Sequence, residues 1–102
     1  MHKISVASEF SVYPGGRTPD DGPYSGEEFR DNVLFPLLEA GEQVCVCLDG
    51  TRGYGSSFLE EAFGGLVRRG LTQEQLRRLL TFESERPGLM TEIWSYIDEA
   101  SN

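Results

Sequence analysis

Two adjacent hydroxyls, Ser56 and Ser57, follow the glycine-rich turn Gly50-Thr51-Arg52-Gly53-Tyr54-Gly55, which leaves the apolar run Val44-Cys45-Val46-Cys47-Leu48-Asp49. The run reads as a strand, and the residues after the turn read as the start of a helix. Backbone N–H groups left free at a helix N-terminus, together with the helix dipole, favour negative charge there. A serine in that position either caps the helix or carries a phosphate. Ser57 and Glu60 form an S-x-x-E pattern, which predicts a capping box and gives Ser57 a structural role. Ser56 has no such partner three residues on, so its hydroxyl is free to point outward. Asp49 ends the strand, where open α/β sheets bind ligands, and Tyr54 in the turn belongs to the same surface.

A second group of residues can bind an anion. Gly15-Gly16 gives backbone freedom beside the guanidinium of Arg17, and Ser25-Gly26-Glu27-Glu28 predicts another capped helix start. Gly16, Arg17 and Ser25 together can hold a phosphate or a carboxylate. The competing reading is a tight loop in which Arg17 pairs with Asp20 or Asp21. Neither glycine stretch is a nucleotide P-loop, since no G-x-x-x-x-G-K-[ST] occurs, and Phe58 stands where a G-x-S-x-G elbow needs glycine. The single histidine, His2, leaves no metal-ligand set and no base for a serine nucleophile. No catalysis, metal or cofactor is expected. Cys45 and Cys47 stand two apart on one strand, share a face, and read as reduced, buried thiols.

Composition narrows the partners. A chain of 102 residues with 38% hydrophobic and 11% aromatic side chains fits one folded domain, 1–102. Its formal charge of −8, with Lys3 as sole lysine, argues against nucleic acid or an anionic membrane and favours a basic protein surface. No apolar run approaches a membrane span and none at the N-terminus resembles a signal peptide, so a cytoplasmic protein is expected.

These residues need elements to position them. Ile4, Val6, Phe10 and Val12 at even spacing predict a strand, or two short ones, over 3–12. A proline- and glycine-rich loop follows over 13–24. Ser25 opens a helix that carries Phe29, Val33, Leu34, Leu37 and Leu38 on one face, is kinked at Pro36 and ends at Gly41. Val44–Leu48, apolar on both alternating faces, predicts a strand covered on both sides. A helix follows over 57–69, with Gly64-Gly65 in its interior implying close packing. Thr72 and Gln75 box a further helix, Leu79–Phe82 predicts a short strand, and Leu89, Met90, Ile93, Trp94 and Ile97 mark a final helix. Glu60, Glu61, Glu92, Asp98 and Glu99 read as solvated helix faces. The alternation of strands and helices predicts a small α/β sandwich with right-handed crossovers.

The segment Asp49 to Gly65, together with Pro-Gly-Gly-Arg at 14–17 and Gly-Pro-Tyr-Ser-Gly-Glu-Glu-Phe-Arg at 22–30, resembles the STAS-like domain family of unknown function. The resemblance runs from about Phe10 to Ile97. It implies a mixed or parallel sheet of about four strands packed with helices. The family is similar to anti-sigma-factor antagonists, in which an ATP-binding kinase of the histidine-kinase type phosphorylates the first serine of an Asp-Ser-Ser-Gly motif and switches partner binding off. By position that serine is Ser56, with Gly55 in place of the aspartate and Phe58 in place of the glycine. The resemblance therefore implies a non-enzymatic regulatory domain whose partner surface centres on Ser56, Ser57, Tyr54, Asp49 and Glu60. A small-ligand or nucleotide site using Arg17, Asp49 and the glycine turn stands as the alternative.

Overall fold

The computed structural model describes residues 1–102 and builds them around a three-stranded, wholly parallel sheet. The strands β1 (His2–Ser5), β2 (Val44–Cys47) and β3 (Leu80–Glu83) lie in the order β1-β2-β3. In register, Ile4 stands beside Val46 and Val46 beside Phe82, while Val44 stands beside Leu80. These residues face the helices and feed a core of 20 buried side chains. The other face carries Lys3, Ser5, Cys45, Cys47, Thr81 and Glu83 in the alternate rows.

Five helices complete the molecule. A single turn, α1 (Val6–Glu9), follows β1 directly. The long helix α2 runs over 26–39 as Gly26–Phe29, a π turn at Arg30–Leu34, and Phe35–Glu39. Helix α3 runs over 56–68 in the same way, with Ser56–Leu59, a π turn at Glu60–Gly64, and Gly65–Arg68. Then come α4 (Gln73–Leu79) and α5 (Pro87–Ala100). Helix α5 packs along the middle and end of α3, and the first turns of α2 pack on those of α3.

Local signals set most of these boundaries. Ser25 accepts from the Glu28 N–H at 3.2 Å while Glu28 accepts from the Ser25 N–H at 3.1 Å, the reciprocal box that starts α2. Thr72 and Gln75 do the same for α4 at 3.1 and 2.8 Å. Pro36 lies inside α2 without breaking it, because the π turn ends just before: the Phe35 N–H bonds the Arg30 carbonyl five residues back.

Three expectations are corrected. The sheet has three strands, not about four. The even spacing over 3–12 yields one strand and then a helical turn, because Ser5 caps it by accepting from Ser8 N–H at 3.2 Å and Glu9 reaches back to the Ser5 N–H at 2.7 Å. Nor does a helix layer cover both sides of the sheet, although β2 is itself buried on both faces, Val44 and Val46 on one and Cys45 on the other. Lys3 and Glu83 bridge across β2 at 3.0 Å with side chains 64% and 51% exposed, so the second face has no helix layer. The thiols of Cys45 and Cys47 on that face are unbridged, as their shared orientation requires.

Candidate functional site

The loops that leave the carboxyl ends of the three strands gather most of the candidate residues. Parallel strands direct their C-terminal ends to one edge, and ligand sites of open α/β sheets lie there. At this edge, the turn after β2 brings Tyr54 back over the strand, and its hydroxyl donates to the Leu48 carbonyl at 2.7 Å. Burial pushes the Tyr54 phenol up to about 12, so it stays protonated at any physiological pH. Its ring packs against Phe58 on the first turn of α3, 5.9 Å between centroids.

Ser56 and Ser57 are the first two residues of α3, and both are exposed. The cap residue is Gly55, in extended conformation (φ −77°, ψ 152°), whose carbonyl accepts from the Leu59 N–H at 3.2 Å. The predicted Ser57–Glu60 box does not form. Because Gly55 takes the cap, Ser57 falls at the second helical position, where its side chain cannot reach back over the helix end. Glu60 turns instead toward Arg17 and Arg68. Both serine hydroxyls therefore have no bond within the protein.

Asp49 lines a cleft of about 180 Å³ with Thr51, Tyr54, Glu85, Arg86 and Leu89. Its carboxylate accepts from the Glu85 N–H at 3.0 Å and, at 3.5 Å, from the Ser84 hydroxyl, tying the loop after β2 to the loop after β3. Ser56 does not line this cleft. The volume falls below the roughly 300 Å³ typical of small-molecule pockets.

The structure separates the residues of the second candidate and joins one of them to the first. Ser25 is wholly buried, and its hydroxyl is used by Glu28. The Gly16 carbonyl accepts from the Gly26 N–H at 3.0 Å, and the Arg17 carbonyl from the Glu27 N–H at 3.1 Å, so residues 16–17 lie along the entry to α2. Asp21 accepts the Arg17 backbone N–H at 2.9 Å, but the guanidinium goes elsewhere. It reaches across to Glu60 and, at 3.2 Å, to Glu61 on α3. Arg17 and Glu60, 43 residues apart, thus form one contact.

That contact is part of a wider ion network that sequence reading missed. Arg30, 7% exposed, pairs with Glu61 and with Asp31 (2.8 Å) where the two π turns meet. Arg68 binds Glu60 at 2.8 Å, and Arg69 binds Asp31 at 2.5 Å. Glu60 and Glu61 are therefore not plain solvated positions, and Asp98 is not one either, since it holds Arg77 at 3.0 Å. Hydrogen bonds from Arg68 and then Arg17 hold the Glu60 carboxyl below its ordinary 4.5, and the bond from Arg30 holds Asp31 below 3.8. One signal was available, the pair Gly64-Gly65: a Cβ at Gly65 would collide with an Arg30 nitrogen, and one at Gly64 would sit 2.7 Å from a Glu60 oxygen. The glycine pair in α3 marks where charged side chains of the network need room.

No curated protein and no solved structure matches the chain. A family model for a STAS-like domain of unknown function matches residues 25–88, from the cap of α2 to the first turn of α5. The span holds β2, β3, the glycine turn, Ser56 and the whole of α3. It leaves out β1 and the loop that bears Arg17, so the sequence resemblance noted over 14–17 lies outside it. With well over half of its length covered, the chain belongs to the family of STAS-like domains of unknown function (DUF4325).

Proposed function

We propose that the protein is a non-enzymatic regulatory docking domain of the anti-sigma-factor-antagonist kind, binding a partner through Ser56, Ser57, Tyr54 and the first turn of α3. Phosphorylation of Ser56 by a partner ATP-binding kinase of the histidine-kinase type releases that partner. The observation that carries this reading is the freedom of the serine hydroxyls: Gly55 supplies the cap, so a phosphate on Ser56 removes no internal bond. It adds about −1.5 to −2 charge at neutral pH, which the helix N-terminus tolerates and a partner fitted to a hydroxyl surface does not. Glu60, one turn further on, is held by Arg17 and Arg68 and so presents a neutralised neighbour.

The test is co-purification from the native host with intact-mass analysis of the protein. A co-purifying ATP-binding protein, a single added phosphate mapped to Ser56, and loss of that partner in Ser56→Asp support the switch. Wild-type partner binding by Ser56→Asp overturns it.

The Asp49–Arg86 cleft favours a second reading, a small-ligand site at the carboxyl ends of the strands. Arg17 is taken up by Glu60 and Glu61, so Arg86 supplies the cation of that site. A thermal-shift screen with nucleotides and phosphorylated metabolites checks it. A ligand-dependent rise that disappears in Arg86→Ala supports it, and a flat screen removes it.

A further inference from the structure

Of the four large hydrophobic side chains that are exposed, three sit on one loop: Val12 (40%), Tyr13 (65%) and Tyr24 (45%). The loop is a fixed strap. Pro14 is buried beneath it, the Gly15 N–H bonds the Tyr24 carbonyl at 3.0 Å, residues 16 and 17 bond the entry to α2, and Arg17 latches onto α3. Tyr24 itself has φ +63°, a left-handed conformation that a residue with a Cβ rarely adopts. Its ring meets Phe10 edge-on at 5.6 Å while almost half of it stays in solvent. Rigid, exposed aromatics on a preorganised loop form the anchor type that dominates protein interfaces.

The unpaired charges around the strap are mostly acidic. Glu9, Asp20, Asp21, Glu27 and Glu28 make no ion pair. Glu9, Asp21 and Glu28 are bound by backbone N–H groups, which leaves their charge uncompensated. Of the nearby cations, Arg17 lies on Glu60 and Glu61, while Arg52 makes no ion pair and lies over the Tyr13 ring at 5.7 Å. The Arg52 contact shows that this ring receives a guanidinium on its face, at a distance loose enough for a closer cation to take over.

We infer that the strap face is a docking surface for a basic protein segment, whose arginine or lysine side chains stack on Tyr13 and Tyr24 inside the acidic rim. An anionic membrane or nucleic acid is repelled by the same rim. The inference rests on reading the domain as a docking module, but not on the state of Ser56. The strap precedes residue 25, where the family match begins.

The test is a ¹H–¹⁵N titration of the full chain with an amidated nonapeptide bearing three arginines and three leucines, beside the same peptide with glutamate in place of arginine. Saturable shift changes concentrated over residues 12–28, absent with the glutamate peptide, support the inference. The Kd rises at least tenfold in Tyr13→Ser/Tyr24→Asn, asparagine being well suited to positive φ, while Glu99→Gln on α5 binds as wild type. Changes spread equally over Glu39, Glu42, Glu92 and Glu99, no saturation at millimolar peptide, or unchanged binding by the double variant overturns it. If Ser56→Asp still releases a host partner while the peptide fails, only the strap surface falls. If the peptide binds and Ser56→Asp releases nothing, only the switch falls.

Discussion

A serine at the first position of a helix does not need to be its cap. At Ser56 the backbone of Gly55 closes the helix end, so the side chain is free for chemistry that a capping hydroxyl could not do without loss. Ser56→Asp places a carboxylate at the N-terminus of α3, where the dipole stabilises it by about 0.3–1 kcal/mol. The expected outcome is an unfolding midpoint equal to or slightly above wild type together with lost partner binding, measured by urea denaturation and pull-down on the same sample. The opposite residue-scale case is Arg30. Its guanidinium is almost fully buried between Glu61 and Asp31. Arg30→Ala removes the buried cation between them but leaves Glu61 to Arg17 and Arg68 and Asp31 to Arg69, so the expected loss is about 1–3 kcal/mol, below that of a buried pair broken outright. Chemical denaturation reads this directly; a loss below about 1 kcal/mol would mean that the network is solvated and structurally idle.

At the scale of elements, the site is held by the approach of α2 to α3. A Cβ on Gly26 would stand 2.6 Å from the Phe58 carbonyl and 3.1 Å from the Ala62 nitrogen. Those are backbone atoms, so nothing flexible can yield. Gly26→Ala is expected to lose about 1–3 kcal/mol by overpacking, a drop in Tm of roughly 4–8 °C per kcal/mol for a domain of this size. The helix entry was legible from Ser25 and Glu28, and so was the cap of α4 from Thr72 and Gln75, because both are interactions over three residues. The closeness of Gly26 to Phe58 was not legible, since it depends on how two helices cross. The interior pair Gly64-Gly65 did signal close packing, but not that the occupant is an arginine.

For the whole molecule, the ion network gives stability a predictable pH dependence. Glu60 and Asp31 titrate lower in the folded chain than their ordinary 4.5 and 3.8, so between those values and the folded ones the unfolded chain binds more protons. Their contribution is complete above about pH 4.5 and is lost as pH falls through the folded values. Thermal melts from pH 7 to pH 3 should show a plateau down to about 4.5 and then a falling limb. Glu60→Gln with Asp31→Asn should flatten that limb, and a limb of unchanged slope in the double variant would place the acid sensitivity elsewhere. High salt should leave the Arg30 pairs largely intact while weakening the exposed Lys3–Glu83 bridge.

What the sequence determined by itself is the set of features that close within one turn or one strand. The capped starts at Ser25 and Thr72, the strand from Val44, the last helix and its inward residues Ile93 and Ile97 all follow from spacing, because helix and strand periodicity are local properties. The residues matched by the family, 25–88, hold most of these. Tertiary structure alone decided that the sheet has three strands with a helix layer on one face. It also decided that Gly55 rather than Ser57 caps α3, and that Arg17 meets Glu60 across 43 residues. The physical reason is common to all of these. Strand register, helix crossing and long-range ion pairs are chosen by how finished elements pack, and the same local sequence is compatible with several such packings until the core selects one.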